Sequence, residues 1–349
     1  GSSPYYLFKE INKQPQIKDL YPLAGKTVEV VRHLLKEGAQ AGNITRMISI
    51  INDEIVKRLL ILLEEELGPP PLPYCWLLLG SEGRREQTFR TDQDNALVYA
   101  DPPDEETARR AAAYFERFAK AAIDHLVACG YPLCPGEIMA SNPKWRQPLA
   151  VWKQYFDRWI MTPEAEQILH ATIFFDFRPR HGAFALADDL RRYLLSRIRR
   201  QEIFLLHLAR ECLTSKAPLS FFKNFIVEKD GAYRNRLDIK HRGIAPFVNF
   251  ARVLALKHGV KETNTLARLK ILAEEGQISN DLATQARHAY EFQMYLRIVH
   301  QLQQIDDGEE PDNYIDPSQL SDLEKRTLKE AFSTIERLQE ALRTIFPLR

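Results

Sequence analysis

Two aspartates separated by a single residue, Asp92 and Asp94, lead into the apolar run Ala96–Tyr99 (ALVY). In an extended chain, residues two apart emerge on one face, so both carboxylates can meet one hard cation such as magnesium. Upstream, the run Gly80-Ser81-Glu82-Gly83-Arg84-Arg85-Glu86 follows the apolar stretch Tyr74–Leu79 (YCWLLL). A glycine where a strand turns into a helix lets backbone N–H groups approach a phosphate. The Ser81 hydroxyl and the Arg84 and Arg85 guanidinium groups can add contacts to a triphosphate. A phosphate cradle beside a carboxylate pair is what transfer of a nucleoside monophosphate from a triphosphate requires. Two-metal sites hold their ions about 4 Å apart between carboxylates, so a third acid is expected from elsewhere. Asp176 is the candidate, because a carboxylate inside the apolar stretch Ile168–Phe177 (ILHATIFFDF) is costly to bury unless paired or coordinated. Arg178, two residues on, shares its face and could contact phosphate.

Each feature also has a plainer reading. Gly80–Glu86 could be a strand-to-helix turn with a charged first helical turn, and Asp92 and Asp94 ordinary turn residues. Glu86 reads either as a partner of Arg84 or as a plain helix residue, and Arg180 as the partner of a surface acid. Trp145, Trp152 and Trp159 suit a core better than a base-stacking platform. A Walker loop is excluded, since no Gly-Lys-Ser/Thr follows Gly80. In the patch Asp238-Ile239-Lys240-His241-Arg242-Gly243, Lys240 could reach the triphosphate or acceptor, or the patch could be a solvated helix start.

Hydrophobic periodicity gives the elements that must position these groups. Residues 1–26 read as a tag remnant (Gly1-Ser2-Ser3) and a linker interrupted by Pro4, Pro15 and Pro22. Residues 27–68 read as a helical segment: one helix from Thr27 to Gly38, and another in which Ile44, Met47, Ile48, Ile51, Ile55, Leu59 and Leu62 share a face. Residues 69–182 form the core. It has strands at Tyr74–Leu79, Ala96–Tyr99 and Ile168–Phe177, a brief one at Gly136–Ala140, and helices at Asp104–Cys129 and Leu149–Ile160. Beyond residue 182 strand signals fade, and 183–349 read as a helical domain with helices near 184–213, 243–258, 264–275, 279–304 and 319–345. The fold class is α+β: a small mixed-sheet core between N-terminal helices and an all-α C-terminal domain, with the active site in the cleft between core and helices.

Lysine plus arginine (48) nearly cancels aspartate plus glutamate (47), so no global field draws the chain onto nucleic acid or an anionic membrane. The four cysteines lack zinc-ligand spacing and are too few for a disulfide framework, which suits a reducing cytoplasm. No segment approaches the roughly 20 apolar residues of a membrane span.

Gly80-Ser81, Asp92-x-Asp94 and the later Asp176 resemble the nucleotidyltransferase superfamily that includes DNA polymerase beta. The fuller pattern GSEGRREQTFRTDQDNALV, with MASNPKWRQ at 139–147 and FFDFRPRHG at 174–182, resembles one branch more closely, the DUF294 family. That branch is related to the uridylyl- and adenylyltransferases that modify nitrogen-regulatory proteins. The resemblance covers roughly residues 27–345. It implies a polymerase-beta-like core with Asp92, Asp94 and Asp176 around two Mg2+ ions. Gly80, Ser81, Arg84, Arg178 and Lys240 would hold a nucleoside triphosphate, ATP or UTP, and the acceptor would be a protein hydroxyl. It further implies a helical substrate-binding domain and upstream CBS or cyclic-nucleotide-binding domains. Two alternatives stay open: a nucleotide-sensing module without turnover, and a template-independent nucleic-acid polymerase, against which the balanced charge argues.

Overall fold

A computed structural model describes residues 3–89, 91–162, 164–221 and 223–348. Gly1 and Ser2, read from the sequence as part of a tag remnant, and Arg90 of the motif lie outside these. The chain divides into two compact units, Gly1–Ala39 with Asn43–Arg197, and Gln40–Gly42 with Ile198–Arg349. The fold class is α+β, with one small mixed sheet and a helical C-terminal region.

The first unit begins with helix α1 (Pro4–Lys13) and a 3-10 helix (Ile17–Lys26), where the sequence suggested a linker. Leu7 and Ile11 lie four apart, and Ile17, Leu20 and Leu23 three apart, so each set lines one helical face; all are buried. Pro4 sits at the helix start, where its missing N–H costs nothing. Helices α2 (Thr27–Lys36) and α3 (Ala41–Leu67) follow, and α3 buries the expected face except for Met47, which is only partly buried.

Strand β1 (Tyr74–Leu78), helix α4 (Gly80–Arg84), strand β2 (Asn95–Tyr99) and helix α5 (Glu105–Ala128) come next. Then follow β3 (Arg146–Pro148), α6 (Leu149–Met161), α7 (Ala165–Phe175), β4 (Arg178–Gly182) and α8 (Phe184–Arg199). The sheet order is β3-β2-β1-β4; β1 runs antiparallel to β2 and β4, and β3 parallel to β2. Every residue of β1 and β2 is buried, which accounts for their unbroken apolar character: both faces of the sheet are covered. Tyr74, Trp76, Leu78, Leu97 and Tyr99 join one core with α3 and α5, in which Tyr99 stacks on Phe115 at 4.8 Å. Trp145, Trp152 and Trp159 are buried in an aromatic cluster around Phe174, and the Trp152 indole N–H donates to the Leu97 carbonyl at 3.1 Å.

Two strand expectations are corrected. Ile168–Phe177 is helical to Phe175 and turns at Asp176. A short apolar run does not separate strand from helix by periodicity alone, but the buried residues Ile168, Ala171, Phe174 and Phe175 follow helical spacing. Gly136–Ala140 forms no strand; the sheet takes Arg146–Pro148 instead.

The second unit contains α9 (Glu202–Thr214), β5 (Leu237–Asp238), a π-helical turn (Ile239–Ile244), α10 (Ala245–His258), α11 (Thr265–Glu274), α12 (Asn280–Asp306), β6 (Tyr314–Ile315) and α13 (Asp322–Ile345). Strands β5 and β6 pair as a two-residue antiparallel ribbon. Among the described residues no helix is long and apolar enough to cross a membrane.

Candidate active site

The β1–α4 turn and the approach to β2 are brought together by the sheet itself. Leu78 pairs with Asn95, and one step further the Leu79 N–H donates to the Asp94 carbonyl at 2.9 Å. Gly80 is thereby set against Asp94: a β-carbon on Gly80 would stand 3.2 Å from Asp94 Oδ2. Its φ of +54° is left-handed, so glycine is favoured here on two counts. Along Thr91–Asn95 burial alternates: Thr91, Gln93 and Asn95 are buried, while Asp92 and Asp94 are only partly so. The inward set is tied down: Gln93 N–H donates to the Pro132 carbonyl at 2.9 Å, and Ala140 N–H donates to Asn95 Oδ1 at 2.8 Å. Asp92 and Asp94 are left on the more open side, with Asp94 against Gly80, which the half-exposed Ser81 follows.

Helix α4 is clamped from behind by the residues around the α7–β4 junction. Gly83 packs so closely that an added β-carbon would lie 2.0 Å from the Asp176 carbonyl oxygen and 2.8 Å from that of Leu78. Gly83→Ala is therefore expected to destabilise the fold, at the upper end of the roughly 1–3 kcal/mol typical of overpacking. A melting temperature unchanged from wild type would contradict this packing.

Arg84 was expected to grip phosphate. In the structure its Nε donates to Glu86 Oε1 at 2.8 Å and its Nη1 to Asp176 Oδ2 at 3.0 Å. Glu86 is 2% exposed and Asp176 0%, so this is a buried cation between two carboxylates. Burial alone would push the Arg84 pKa down; Glu86 and Asp176 more than reverse that, and it is raised. Of the two readings open for Glu86, partnership with Arg84 is the one observed. Gly83-Arg84-x-Glu86 thus acts as a staple that binds the phosphate turn to the chain reversal at Asp176.

Arg178 is likewise committed. Its Nη1 and Nη2 donate to both oxygens of Asp53 on α3, at 2.8 and 3.1 Å, and Nη2 also donates to the Glu82 carbonyl at 2.9 Å. Arg180, expected against a surface acid, lies 3.7 Å from the same buried Asp53. Sequence reasoning overlooked Asp53, whose signal was a carboxylate directly following an apolar helical stripe at positions the core then buries. It also overlooked Glu82, which accepts from the Asp94 N–H at 3.4 Å. Burial, and then the neighbouring Asp94, raise the Glu82 pKa well above the usual carboxylate range. Cys134, also half-buried, has its thiol pKa raised by burial and by Asp94.

Lys240 belongs to the second unit, on the π-helical turn. There Asp238 caps the turn, accepting from the His241 N–H at 3.1 Å and meeting the His241 ring at 2.9 Å. Asn142 caps the short helical turn Pro143–Trp145, accepting from the Lys144 N–H at 3.0 Å.

Magnesium is commonly held by one or two carboxylates together with substrate phosphates, not by an all-protein cage. Asp92 and Asp94, partly exposed hard oxygen donors in the segment leading into β2, fit that requirement. Among the described residues no three His, Cys, Asp or Glu side chains are grouped to hold a metal ion, and Asp176 faces Arg84.

Sequence profiles of two families match the chain. "Putative nucleotidyltransferase DUF294" matches residues 25–166, and "Putative nucleotidyltransferase substrate binding domain" matches residues 202–346. No curated protein matches it in a sequence comparison.

Proposed function

From the premise that the chain belongs to the DUF294 nucleotidyltransferase family, we propose that it transfers a nucleoside monophosphate from a triphosphate, ATP or UTP, to a protein hydroxyl. The observation that supports this reading is the seating of Gly80 against the carboxylate of Asp94, as expected of a phosphate turn next to a metal-binding acid. Asp92 and Asp94 hold magnesium, which when bound neutralises charge on the phosphates. The Gly80 and Ser81 backbone and the Ser81 hydroxyl hold phosphate oxygens. Arg84, Glu86 and Asp176 keep that turn rigid from behind, so Asp176 acts as a positioning residue. The acceptor hydroxyl oxygen attacks the α-phosphorus and releases its proton to solvent as the bond to the bridging oxygen breaks, and pyrophosphate leaves. The C-terminal unit, matched by a substrate-binding profile, supplies the acceptor's docking surface, and Lys240 is its candidate phosphate contact. Regulation by CBS or cyclic-nucleotide-binding domains would fit the same role.

One observation favours a second reading, nucleotide binding without turnover: the third acid is engaged by Arg84. The two separate in one experiment. The chain is incubated with magnesium, cell lysate and each labelled triphosphate in turn, and labelled protein and pyrophosphate are measured. Magnesium-dependent labelling is expected. Tight triphosphate binding with neither product, across all four nucleotides and several lysates, would establish the silent module.

A further inference from the structure

With Arg84 and Arg178 held by buried acids, the positive charge for a phosphate chain must come from other residues. Arg85 follows α4 directly, is exposed, and takes a left-handed backbone at φ 58°, uncommon for a residue with a side chain. Its N–H donates to the Glu82 carbonyl, the same oxygen that accepts from Arg178 Nη2. Arg85 and Arg178 are thus neighbours across one carbonyl group. Arg180 lies two residues further along β4 and approaches Asp53 with Arg178. Arg46 stands two helical turns before Asp53 on α3, on the same face, and is exposed.

Arg178 and Arg180 therefore meet one carboxylate, with Arg85 joined to Arg178 through the Glu82 carbonyl and Arg46 about 10 Å along α3 from Asp53. Burial, then the charges of Arg178, Arg46 and Arg180, lower the Arg85 pKa, and Asp53 opposes them. Such an excess of like charge is relieved by an anion. The helix α4 places the two sites within reach of one ligand: its first residue sits against Asp94, and Arg85 lies just past its last, about 7 Å along the axis at 1.5 Å per residue.

We propose that Arg46, Arg85 and Arg180 form a polyphosphate subsite that takes the pyrophosphate portion of the donor nucleotide, with Asp53 fixing Arg178 and Arg180 beneath it. This rests on the transfer reading. It assigns to Arg85, through its neighbours, the role that Arg84 gives up to Glu86 and Asp176. Planar guanidinium forks suit the bidentate recognition of phosphate oxygens.

The test is pyrophosphate binding to the full chain by calorimetry, with EDTA present so that no metal contributes. Two variants are compared with wild type: Arg85→Asn, since asparagine tolerates the left-handed backbone, and Arg46→Gln. Arg110→Gln, an exposed arginine of α5, is the control. Each site variant is expected to weaken binding roughly tenfold or more, the worth of a charge-assisted contact, and the control to leave it unchanged. ATP or UTP should displace pyrophosphate from wild type. Equal affinity in folded Arg85→Asn and Arg46→Gln chains would overturn the subsite; pyrophosphate binding that no triphosphate displaces would overturn its assignment to the donor. An Asp92→Asn, Asp94→Asn chain is expected to keep this metal-free binding. Failure of the transfer reading, seen as absent pyrophosphate release, is therefore distinguishable from failure of the subsite.

Discussion

An Asp92→Asn, Asp94→Asn chain is expected to lose nucleotide transfer by at least about a thousandfold in kcat/KM while melting within about 2 °C of wild type. The magnitude follows from the several kcal/mol that metal-assisted charge stabilisation contributes, at about 1.4 kcal/mol per decade of rate. The preserved stability follows from position. Both side chains lie on the more open side of the segment, while Thr91, Gln93 and Asn95 carry its buried contacts. Asparagine keeps the shape and removes only the charge that a magnesium ion would meet. Transfer of labelled nucleotide and circular-dichroism melting check the two halves separately. Undiminished transfer would sink the assignment of the carboxylate pair. A collapsed melting temperature would mean that the pair is structural.

Asp53→Ala should have the largest effect on stability. Asp53 and Arg178 are 7% and 8% exposed in their side chains and joined by two hydrogen bonds, with Arg180 nearby. Removing one partner of a buried ion pair leaves the other charge without compensation, at a cost of roughly 3–5 kcal/mol. Replacing both, as Asp53→Ala with Arg178→Met, removes the buried charge altogether and should recover more than half of that loss. The recovery is incomplete because the Glu82 carbonyl also loses the donor Nη2 of Arg178. Urea unfolding of the two single variants and the double variant yields the coupling directly. Additive losses would show that the pair does not anchor α3 to β4.

The apolar run before Gly80, the acids entering β2 and the alanine-rich α5 were readable because each is a local pattern, strand or helix, with its own periodicity. The same local reading missed α7, where an unbroken apolar run fits either period until a neighbour selects a face. It also misassigned α1 and the 3-10 helix Ile17–Lys26 as a linker, because scattered prolines obscured spacings of three and four. At the site, Arg84 stands close to Ser81 in sequence, and proximity suggested a shared phosphate. In the structure, however, the Arg84 guanidinium is taken up by the buried acids Glu86 and Asp176, and Asp176 is a partner that closeness in sequence could not reveal.

By itself the sequence determined the chemistry on offer: a glycine-serine turn, a pair of acids on one face of an extended segment, and arginines between them. Those follow from residue type and short-range backbone geometry, which the chain carries locally. Which acid meets which base was decided only by the tertiary structure. Asp176 reaches Arg84 across 92 residues, and Arg178 reaches Asp53 across 125. The physical reason is burial. A charge excluded from water must find its partner wherever packing brings one, and packing sent Asp176 and Arg178 to hold the turn, leaving Asp92, Asp94 and Arg85 at its open side.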